Sequence, residues 1–301
     1  MKRYADHSVT LAGVDMRWGP RRKGAIRSLL NCHFDIVNGC QLNCIGCPNA
    51  TLNPKVTRIS VEDFRLCLSN LDVKAIDRLR LFNFGEPLLH PDLPALLREI
   101  PAQRWKANVV ELSTNAQFAN WEMIEAALRE KVLTHLVVSC DGDGTPEDYE
   151  RLRPPSRWGR LQEFLRRASE LRNRIHPELQ LMTRTICADQ PGQARWREIL
   201  EPLGWTPEFR GWMSLPEAPA QLGAFENGAG LCRFFRAMTD IFVNADGDVV
   251  PCCYHPKAAV LGNLKRQTAN QIMAGETWAG FKASLAADRL SVPVCGSCAA
   301  T

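Results

Sequence analysis

Through residues 31–215 of the chain, short continuous apolar runs alternate with segments in which apolar residues recur every three or four positions. Short runs rich in Val, Ile, Leu and Phe predict strands, and the segments between them, with apolar residues three and four positions apart, predict helices. Strands that alternate with helices through short connections form a parallel sheet with right-handed crossovers. Six such strands predict an α/β fold, a partial (β/α)6 barrel. The predicted strands are residues 32–37, 77–82, 109–112, 133–139, 179–186 and 207–213, and the predicted helices begin near residues 61, 93, 121, 161 and 196.

The composition is that of an ordinary soluble globular protein, with 45% hydrophobic and 23% charged residues. A chain of 301 residues can form one large or two modest domains. No apolar run approaches the roughly 20 residues that span a bilayer, and no export signal is visible, so we expect a cytoplasmic protein without a membrane partner. The net charge of +4 is mild, and the basic residues are not interleaved with aromatic ones, so nucleic acid is not an expected partner.

Three cysteines, Cys40, Cys44 and Cys47, follow the first predicted strand. Three thiolates on so short a loop can hold three irons of a 4Fe-4S cluster, which leaves the fourth iron open to another ligand. Zinc sites usually complete their tetrahedron with two pairs of ligands, and an odd number of cysteines without an export signal does not suggest disulfides. The spacing therefore favours a 4Fe-4S cluster with one open iron.

A strand that ends in a Cys-x3-Cys-x2-Cys loop resembles the signature of the radical S-adenosylmethionine (radical SAM) enzymes. In that family, SAM chelates the open iron, and electron transfer from the cluster cleaves SAM to methionine and a 5'-deoxyadenosyl radical. The resemblance implies an enzyme that removes a hydrogen atom from an unactivated C–H bond, with an electron donor such as flavodoxin or ferredoxin. Gly46 departs from the family pattern, because the residue before the third cysteine is usually aromatic.

Further segments that resemble SAM-binding segments of the family follow the next predicted strands, where active sites of such folds lie. The segment 83–87 is similar to a Gly-Gly-Glu-Pro sequence, which implies that Gly85, Glu86 and Pro87 receive the amino group of SAM. The segments 113–115 and 139–142 are similar to Ser/Thr-Asn and Ser-x-Asp-Gly sequences. The resemblance thus implies SAM-binding roles for Gly85, Glu86, Pro87, Ser113, Asn115 and Ser139.

Arg184 is the only basic residue between positions 181 and 186 of the fifth predicted strand. A charge within an apolar strand is costly unless it has a partner. A carboxylate of SAM or of the substrate would supply one, and so would an internal salt bridge to a neighbouring strand. We retain Arg184 as a candidate binding residue with both alternatives open.

An acidic run without a base follows the fourth predicted strand. Its ordinary function is to stabilise the N-terminus of the next helix. A second interpretation is an acidic rim that attracts a polycationic substrate. The run consists of Asp141, Asp143, Glu147, Asp148 and Glu150.

The alternation of strands and helices stops after position 216, and the stretch 216–230, rich in Gly, Ala and Pro, predicts a linker. Four cysteines beyond it supply ligands for either zinc or a fully ligated 4Fe-4S cluster. The segment 246–252, Asp-Gly-x-Val-x-Pro-Cys, and the later Gly-Asn resemble the twitch domain, a shortened SPASM domain with one auxiliary 4Fe-4S cluster. The implied ligands are Cys232, Cys252, Cys295 and Cys298.

These segments predict an N-terminal extension (1–30), a radical SAM partial barrel (31–215) and a twitch domain with a β-hairpin and a short helix (216–301). Cys252 follows a proline, as the single cysteine of the family does, which leaves Cys253 without a ligand role. Adjacent strand residues point to opposite faces, so Cys253 can face the reaction. Cys253, with Cys140 as a second candidate, can return a hydrogen atom to a carbon radical.

Three reactions are compatible with these features. The first is epimerisation of an amino sugar or aminoglycoside, and the second is dehydrogenation of a secondary alcohol of an aminocyclitol or sugar. Both resemble aminoglycoside-tailoring members of the radical SAM family. The third is peptide modification, although no leader-peptide-binding domain and no two-cluster SPASM domain is visible. The spare Cys253 and the acidic run favour the epimerase.

Overall fold

The computed structural model describes residues 8–11, 14–17, 25–220, 232–237 and 239–298. Parts of the predicted N-terminal extension and of the predicted linker therefore lie outside the described residues. No helix within the described ranges is long and apolar enough to cross a membrane.

A nine-stranded sheet forms the centre of the described structure, in the order β10-β9-β8-β7-β6-β3-β11-β12-β13. From β3 to β10 its six strands are parallel and follow one another in the order of the chain, separated by helices. The predicted fold class, α/β with a partial barrel of six strands, is confirmed. The strands are β1 Ser8–Leu11, β2 Val14–Arg17, β3 Ser28–Phe34, β4 Val37–Asn38, β5 Thr57–Arg58, β6 Ala75–Arg80, β7 Lys106–Thr114, β8 His135–Ser139, β9 Gln180–Ile186, β10 Thr206–Arg210, β11 Asp240–Val243, β12 Asp248–Val250 and β13 Gly262–Asn263.

Most of the longer helices bury an apolar face, and several begin at a side-chain cap. Ser60 accepts a hydrogen bond from the Asp63 amide at 3.0 Å, and Asn120 accepts one from the Met123 amide at 3.1 Å. Such a cap contributes about 1 kcal/mol, and each large apolar side chain that the helices bury adds about 1.5–3 kcal/mol. The helices are α1 Asn49–Leu52, α2 Val61–Ser69, α3 Leu93–Glu99, α4 Trp121–Arg129, α5 Pro146–Leu152, α6 Trp158–Ile175, α7 Gln190–Leu200, α8 Arg233–Ala237, α9 Ala269–Ala274 and α10 Glu276–Asp288.

The C-terminal hairpin extends the sheet of the barrel. Strand β11 pairs in parallel with β3, with Asp240 opposite Asn31, and β12 then pairs antiparallel with β11. The turn between them contains Gly247 at a φ of 83°, which favours glycine. The cysteine pair that follows β12 is therefore held beside the strand that leads into the three-cysteine loop.

Several elements were not predicted from the sequence. They include α5, the hairpin of β1 and β2, and α10, the 13-residue helix near the C-terminus. Helix α10 follows Gly275 without a side-chain cap, so no polar start signal marks it in the sequence.

Candidate active site

A cavity of about 320 Å³ lies at the carboxyl ends of the parallel strands. It brings together residues from loops that are far apart in the chain, as expected for this class of fold. Pro87, Cys140 and the four C-terminal candidate ligands do not line it. The candidate residues that line it are Cys40, Cys44, Cys47, Gly85, Glu86, Ser113, Asn115, Ser139, Arg184 and Cys253.

The three-cysteine loop is fixed by its backbone. The Asn43 amide donates to the Pro154 carbonyl at 2.6 Å, and the Cys47 amide donates to the Cys44 carbonyl at 3.0 Å. Burial raises the pKa of the Cys40 and Cys47 thiols to about 12 and also raises the pKa of Cys44. Binding of iron would have to displace these protons, since only the thiolate is a ligand.

The three thiols fit a cluster better than a single ion. Within the described ranges, no three or more Cys, His, Asp or Glu side chains are close enough together to hold one metal ion. A 4Fe-4S cluster does not need such a group, because each thiolate binds a different iron. Cys40, Cys44 and Cys47 line one cavity from a single loop, which is compatible with three ligands of one cluster.

Glu86 joins the second and third parallel strands at the cavity. Its side chain is only 2% exposed and accepts hydrogen bonds from Thr114 Oγ1 at 2.7 Å and from the Asn115 amide at 2.8 Å. It also accepts the Leu88 amide at 3.0 Å. Burial raises the pKa of Glu86. A carboxylate offers about four acceptor positions, so one remains for an ammonium group such as that of SAM.

Gly85 lies against the strand that precedes the three-cysteine loop. A Cβ atom at this position would stand 1.6 Å from the carbonyl oxygen of Val37, so only glycine fits. The Glu86 amide donates to the Gly39 carbonyl at 3.1 Å. Pro87 is buried and begins the 3-10 turn Pro87–Leu89. The close approach of the two loops explains the glycine of the predicted SAM-binding segment.

Asp35 is a candidate functional residue that the sequence reading missed. It follows β3, is 2% exposed and accepts hydrogen bonds from the amides of Asn83, Phe84 and Gly85. An acid at the end of an otherwise apolar strand, five residues before Cys40, was the available signal.

Arg184 forms an internal salt bridge. It pairs with Glu111 of β7, lies 3.8 Å from Glu208 and places its guanidinium 5.2 Å from the centre of the Phe82 ring. The internal partner considered for Arg184 is therefore present. The guanidinium also lines the cavity, so a contact with a bound carboxylate stays a prediction.

Glu111 is the centre of a buried charge cluster. It is fully buried, and Arg78 lies at 2.8 Å and Arg80 at 3.6 Å. Burial alone would raise the pKa of Glu111, but Arg184, Arg78 and Arg80 outweigh burial and hold the pKa at about 2. The interior of the barrel is thus polar beside the cavity.

The acidic run is engaged in internal contacts. Asp141 pairs with Arg153, Asp143 lies 2.9 Å from Arg195, and Asp148 pairs with Arg151 and accepts the Asp143 amide. Glu150 accepts the Trp158 amide at 2.8 Å and lies 3.5 Å from Arg157. These contacts match the ordinary interpretation, in which the acids stabilise their own loop and helices. They therefore give no support to an acidic rim.

The four C-terminal cysteines lie near one another. The pKa of the Cys295 thiol is raised to about 11, chiefly by burial and also by the neighbouring thiols of Cys298 and Cys232. Cys232 also adds to the raised pKa of Cys252, and both Cys252 and Cys253 pack against the small apolar cluster of Tyr254 and Cys298. The four side chains thus fit the ligand set of an auxiliary cluster.

Arg289 organises the last two of these cysteines. It is 4% exposed and donates from Nη2 to the carbonyl of Cys298 at 2.8 Å and from Nε to the carbonyl of Cys295 at 3.3 Å. Gly296 lies between them, and a Cβ there would stand 2.3 Å from the carbonyl oxygen of Leu290. The Cys-Gly-Ser-Cys turn is therefore held by Arg289 and packed closely against Leu290.

The two hydrogen-donor candidates have different environments. Cys253 lines the cavity, and burial raises the pKa of its thiol to about 11. Cys140 is 0% exposed and belongs to the apolar core. The structure brings Cys253, and not Cys140, to the cavity of the three-cysteine loop.

Comparison with known proteins adds two findings. A model of the SPASM family, an iron-sulfur cluster-binding domain, matches residues 232–299. The structure of BtrN in complex with AdoMet and 2-DOIA is similar, with a TM-score of 0.50 and 14% identity over 90% of this chain and 93% of that chain. Native anSMEcpe with bound AdoMet and Kp18Cys peptide gives a TM-score of 0.55 and 16% identity over 84% and 83%. No curated protein sequence matches the chain.

The fold and the three-cysteine loop agree with the radical SAM resemblance of the sequence. The chain has the fold of two AdoMet-binding proteins, and its C-terminal part is a SPASM iron-sulfur domain, which confirms the family resemblance read from the sequence. The family match supports an iron-sulfur cluster within residues 232–299.

Proposed function

We propose that the protein is a radical SAM epimerase that acts on a C–H bond of a small molecule, with an amino sugar or aminoglycoside as the candidate substrate. The single observation that carries the proposal is the position of Cys253. It lines the same cavity as Cys40, Cys44 and Cys47, although it follows them by more than 200 residues in the chain. A thiol at this place can return a hydrogen atom to the carbon from which another was removed.

Different residues of the chain would have different roles in this reaction. Cys40, Cys44 and Cys47 would hold the cluster, and Glu86 with the backbone at Gly85 would bind the amino group of SAM. When bound, the cluster and SAM supply the 5'-deoxyadenosyl radical that removes a substrate hydrogen atom. Ser113, Asn115 and Ser139 would position SAM within the cavity, and Arg184 would contact a carboxylate there.

Cys253 then breaks its S–H bond and gives the hydrogen atom to the opposite face of the substrate radical. The bond is weaker than a sugar C–H bond, so the transfer is downhill. The resulting Cys253 thiyl radical regains the thiol state by taking up one electron, from a donor of the flavodoxin or ferredoxin kind, and one proton. The substrate thus changes configuration without net oxidation, and Cys253 is restored.

The C-terminal cysteines have a separate role in this proposal. Cys232, Cys252, Cys295 and Cys298 would hold the auxiliary cluster, and Cys252 directly precedes the hydrogen donor in the chain. The pair therefore joins the auxiliary site to the reaction cavity through one peptide bond.

The substrate class is proposed from resemblance. BtrN, whose structure contains AdoMet and 2-DOIA, shares the fold over 90% of this chain. The acidic run does not support a polycationic substrate, because four of its five acids have partners within the chain, namely Asp141, Asp143, Asp148 and Glu150. Dehydrogenation of a secondary alcohol and modification of a peptide are therefore kept as outcomes of the test.

The test is an anaerobic incubation of the reconstituted protein with SAM, reductant and candidate aminoglycosides in deuterated water. An epimerase with an exchangeable thiol donor incorporates one deuterium at an unchanged oxidation level. Loss of two mass units would establish a dehydrogenase instead. Formation of 5'-deoxyadenosine without any change in the sugar would exclude this substrate class.

A further inference from the structure

Asp35 links the strand before the three-cysteine loop to the predicted SAM-binding segment. Its Oδ1 accepts the Asn83 amide at 2.7 Å and the Gly85 amide at 3.1 Å, and its Oδ2 accepts the Phe84 amide at 3.1 Å. Three consecutive amides are therefore held by one carboxylate. The contact joins the loop that would hold the cluster to the loop that would receive SAM.

The carboxylate has no cationic partner of its own. Within the described part of the chain, no lysine or arginine forms an ion pair with Asp35, and its side chain is 2% exposed. Burial raises the pKa of Asp35 to about 6, while the three amides act in the opposite direction. A buried charge compensated only by amides is costly.

The amides connect Asp35 to the cavity. In a trans peptide the carbonyl points away from the N–H group of the same unit, and the structure has its only described cis peptide at Pro154-Pro155. The carbonyls of Phe82, Asn83 and Phe84 therefore point away from Asp35. These three residues line the cavity together with Gly85 and Glu86.

We propose that Asp35 is a positioning residue for SAM, which fixes and polarises the peptide units at 82–85 so that the Asn83 carbonyl oxygen accepts the SAM ammonium group. The negative charge strengthens each amide hydrogen bond and, through the peptide dipoles, makes the carbonyls better acceptors. The Phe84 carbonyl is already occupied by Asn49 Nδ2 at 2.9 Å, and the Phe82 carbonyl interacts with the His33 side chain, which leaves the Asn83 carbonyl for SAM. The inference rests on the proposed use of SAM at this site.

The Asp35→Asn variant separates this role from a structural one. Asparagine has nearly the same shape and keeps one oxygen acceptor, but it removes the charge. The folded-state pKa of about 6 lies above the ordinary value of 3.8, so the ionised carboxylate lowers the stability of the fold above pH 6. The relief of this cost offsets the loss of one oxygen acceptor for the three amides, so Asp35→Asn should change the stability little at pH 7.5, even though it weakens SAM binding.

The experiment uses the reconstituted protein at pH 7.5 and measures thermal unfolding, iron content and the electron paramagnetic resonance signal of the reduced protein during titration with SAM. For Asp35→Asn we expect a melting temperature no more than about 3 °C below the parent and the same iron content. The SAM concentration at half-maximal spectral change should rise about tenfold. Asp246→Asn is the matched control, because Asp246 is an exposed acid of the neighbouring hairpin that bonds Asn38 and not the segment 83–85.

An unchanged SAM titration in Asp35→Asn would overturn the inference, as would an equal shift in Asp246→Asn. A loss of iron and a large fall in melting temperature would show that Asp35 is structural. If SAM leaves the spectrum of the parent unchanged, the inference and the proposed use of SAM both fail. If the shift occurs but no substrate is inverted, only the epimerase proposal fails.

Discussion

Asn115 Nδ2 lies 3.3 Å from the Sγ atom of Cys40, so a side chain that follows the third parallel strand contacts a thiol of the loop that follows the first. The Leu42 amide donates to the same sulfur at 3.4 Å. Hydrogen bonds to the sulfur ligands of a cluster stabilise its reduced form and so raise its reduction potential. The pairing thus connects a predicted SAM-binding residue to the electron transfer that the cluster would perform.

We predict that Asn115→Ala lowers the reduction potential of the cluster, because one N–H donor to Cys40 is removed. A redox titration followed by electron paramagnetic resonance measures the shift. Asn108→Ala is the control, since Asn108 lies near the start of β7, is exposed and bonds Asp77 instead. A potential that does not move in Asn115→Ala would mean that this hydrogen bond is not kept in the loaded protein.

We predict that Cys253→Ala still cleaves SAM but loses the inverted product by about a hundredfold or more, because the hydrogen donor is absent. The two readouts are 5'-deoxyadenosine and the epimerised sugar, measured in the same reaction. Cys140→Ala is the matched control and should still invert the substrate, since Cys140 lies in the core and not in the cavity. Normal inversion by Cys253→Ala would refute the role of this thiol.

The sequence predicts those features that depend on neighbouring residues. The periodicity of apolar residues predicts the parallel strands, and the spacing of Cys40, Cys44 and Cys47 places all three on one short loop. The sequence predicts that the segments at the ends of β6, β7 and β8 lie at one edge of the sheet. Their residues Glu86, Asn115 and Ser139 line one cavity. Local pattern and fold topology together therefore suffice to locate the candidate site.

The contacts that close the site join residues far apart in the chain. Glu111 and Arg184 are separated by 73 positions, and Asn31 and Asp240 by 209. Which of two adjacent cysteines faces a cavity depends on the exact end of β12, and the burial of Cys140 depends on the direction of the chain after β8. Such choices are made by tertiary packing, and a single sequence carries no direct signal of them.

We predict that Glu111→Gln lowers the free energy of unfolding at pH 7.5 by about 3 kcal/mol, because the pKa of Glu111 is about 2 in the folded protein and 4.5 in a free side chain. The depressed pKa means that this stabilisation is fully present above pH 4.5 and is lost as the pH falls towards 2. Urea unfolding measures the change.

Glu208→Gln serves as the control for this charge cluster. Glu208 also contacts Arg184, but at 3.8 Å, and its side chain is 38% exposed. Such exposed pairs contribute at most about 1 kcal/mol, so the control should unfold nearly as the parent does. Equal losses in the two variants would contradict the special role of the buried carboxylate.

We predict that Gly85→Ala abolishes the response to SAM, because the new Cβ would lie 1.6 Å from the Val37 carbonyl oxygen and would force the segment 83–87 away from the strand end. The measurement is the SAM-dependent change in the spectrum of the reduced cluster, together with iron content.

Gly159→Ala is the matched control, because Gly159 lies in α6 with no atom within 4 Å of its Cβ position. Alanine favours a helix over glycine by about 1 kcal/mol, so this control should be at least as stable as the parent and should respond to SAM normally. A normal response in Gly85→Ala would mean that the segment does not hold SAM in the proposed way.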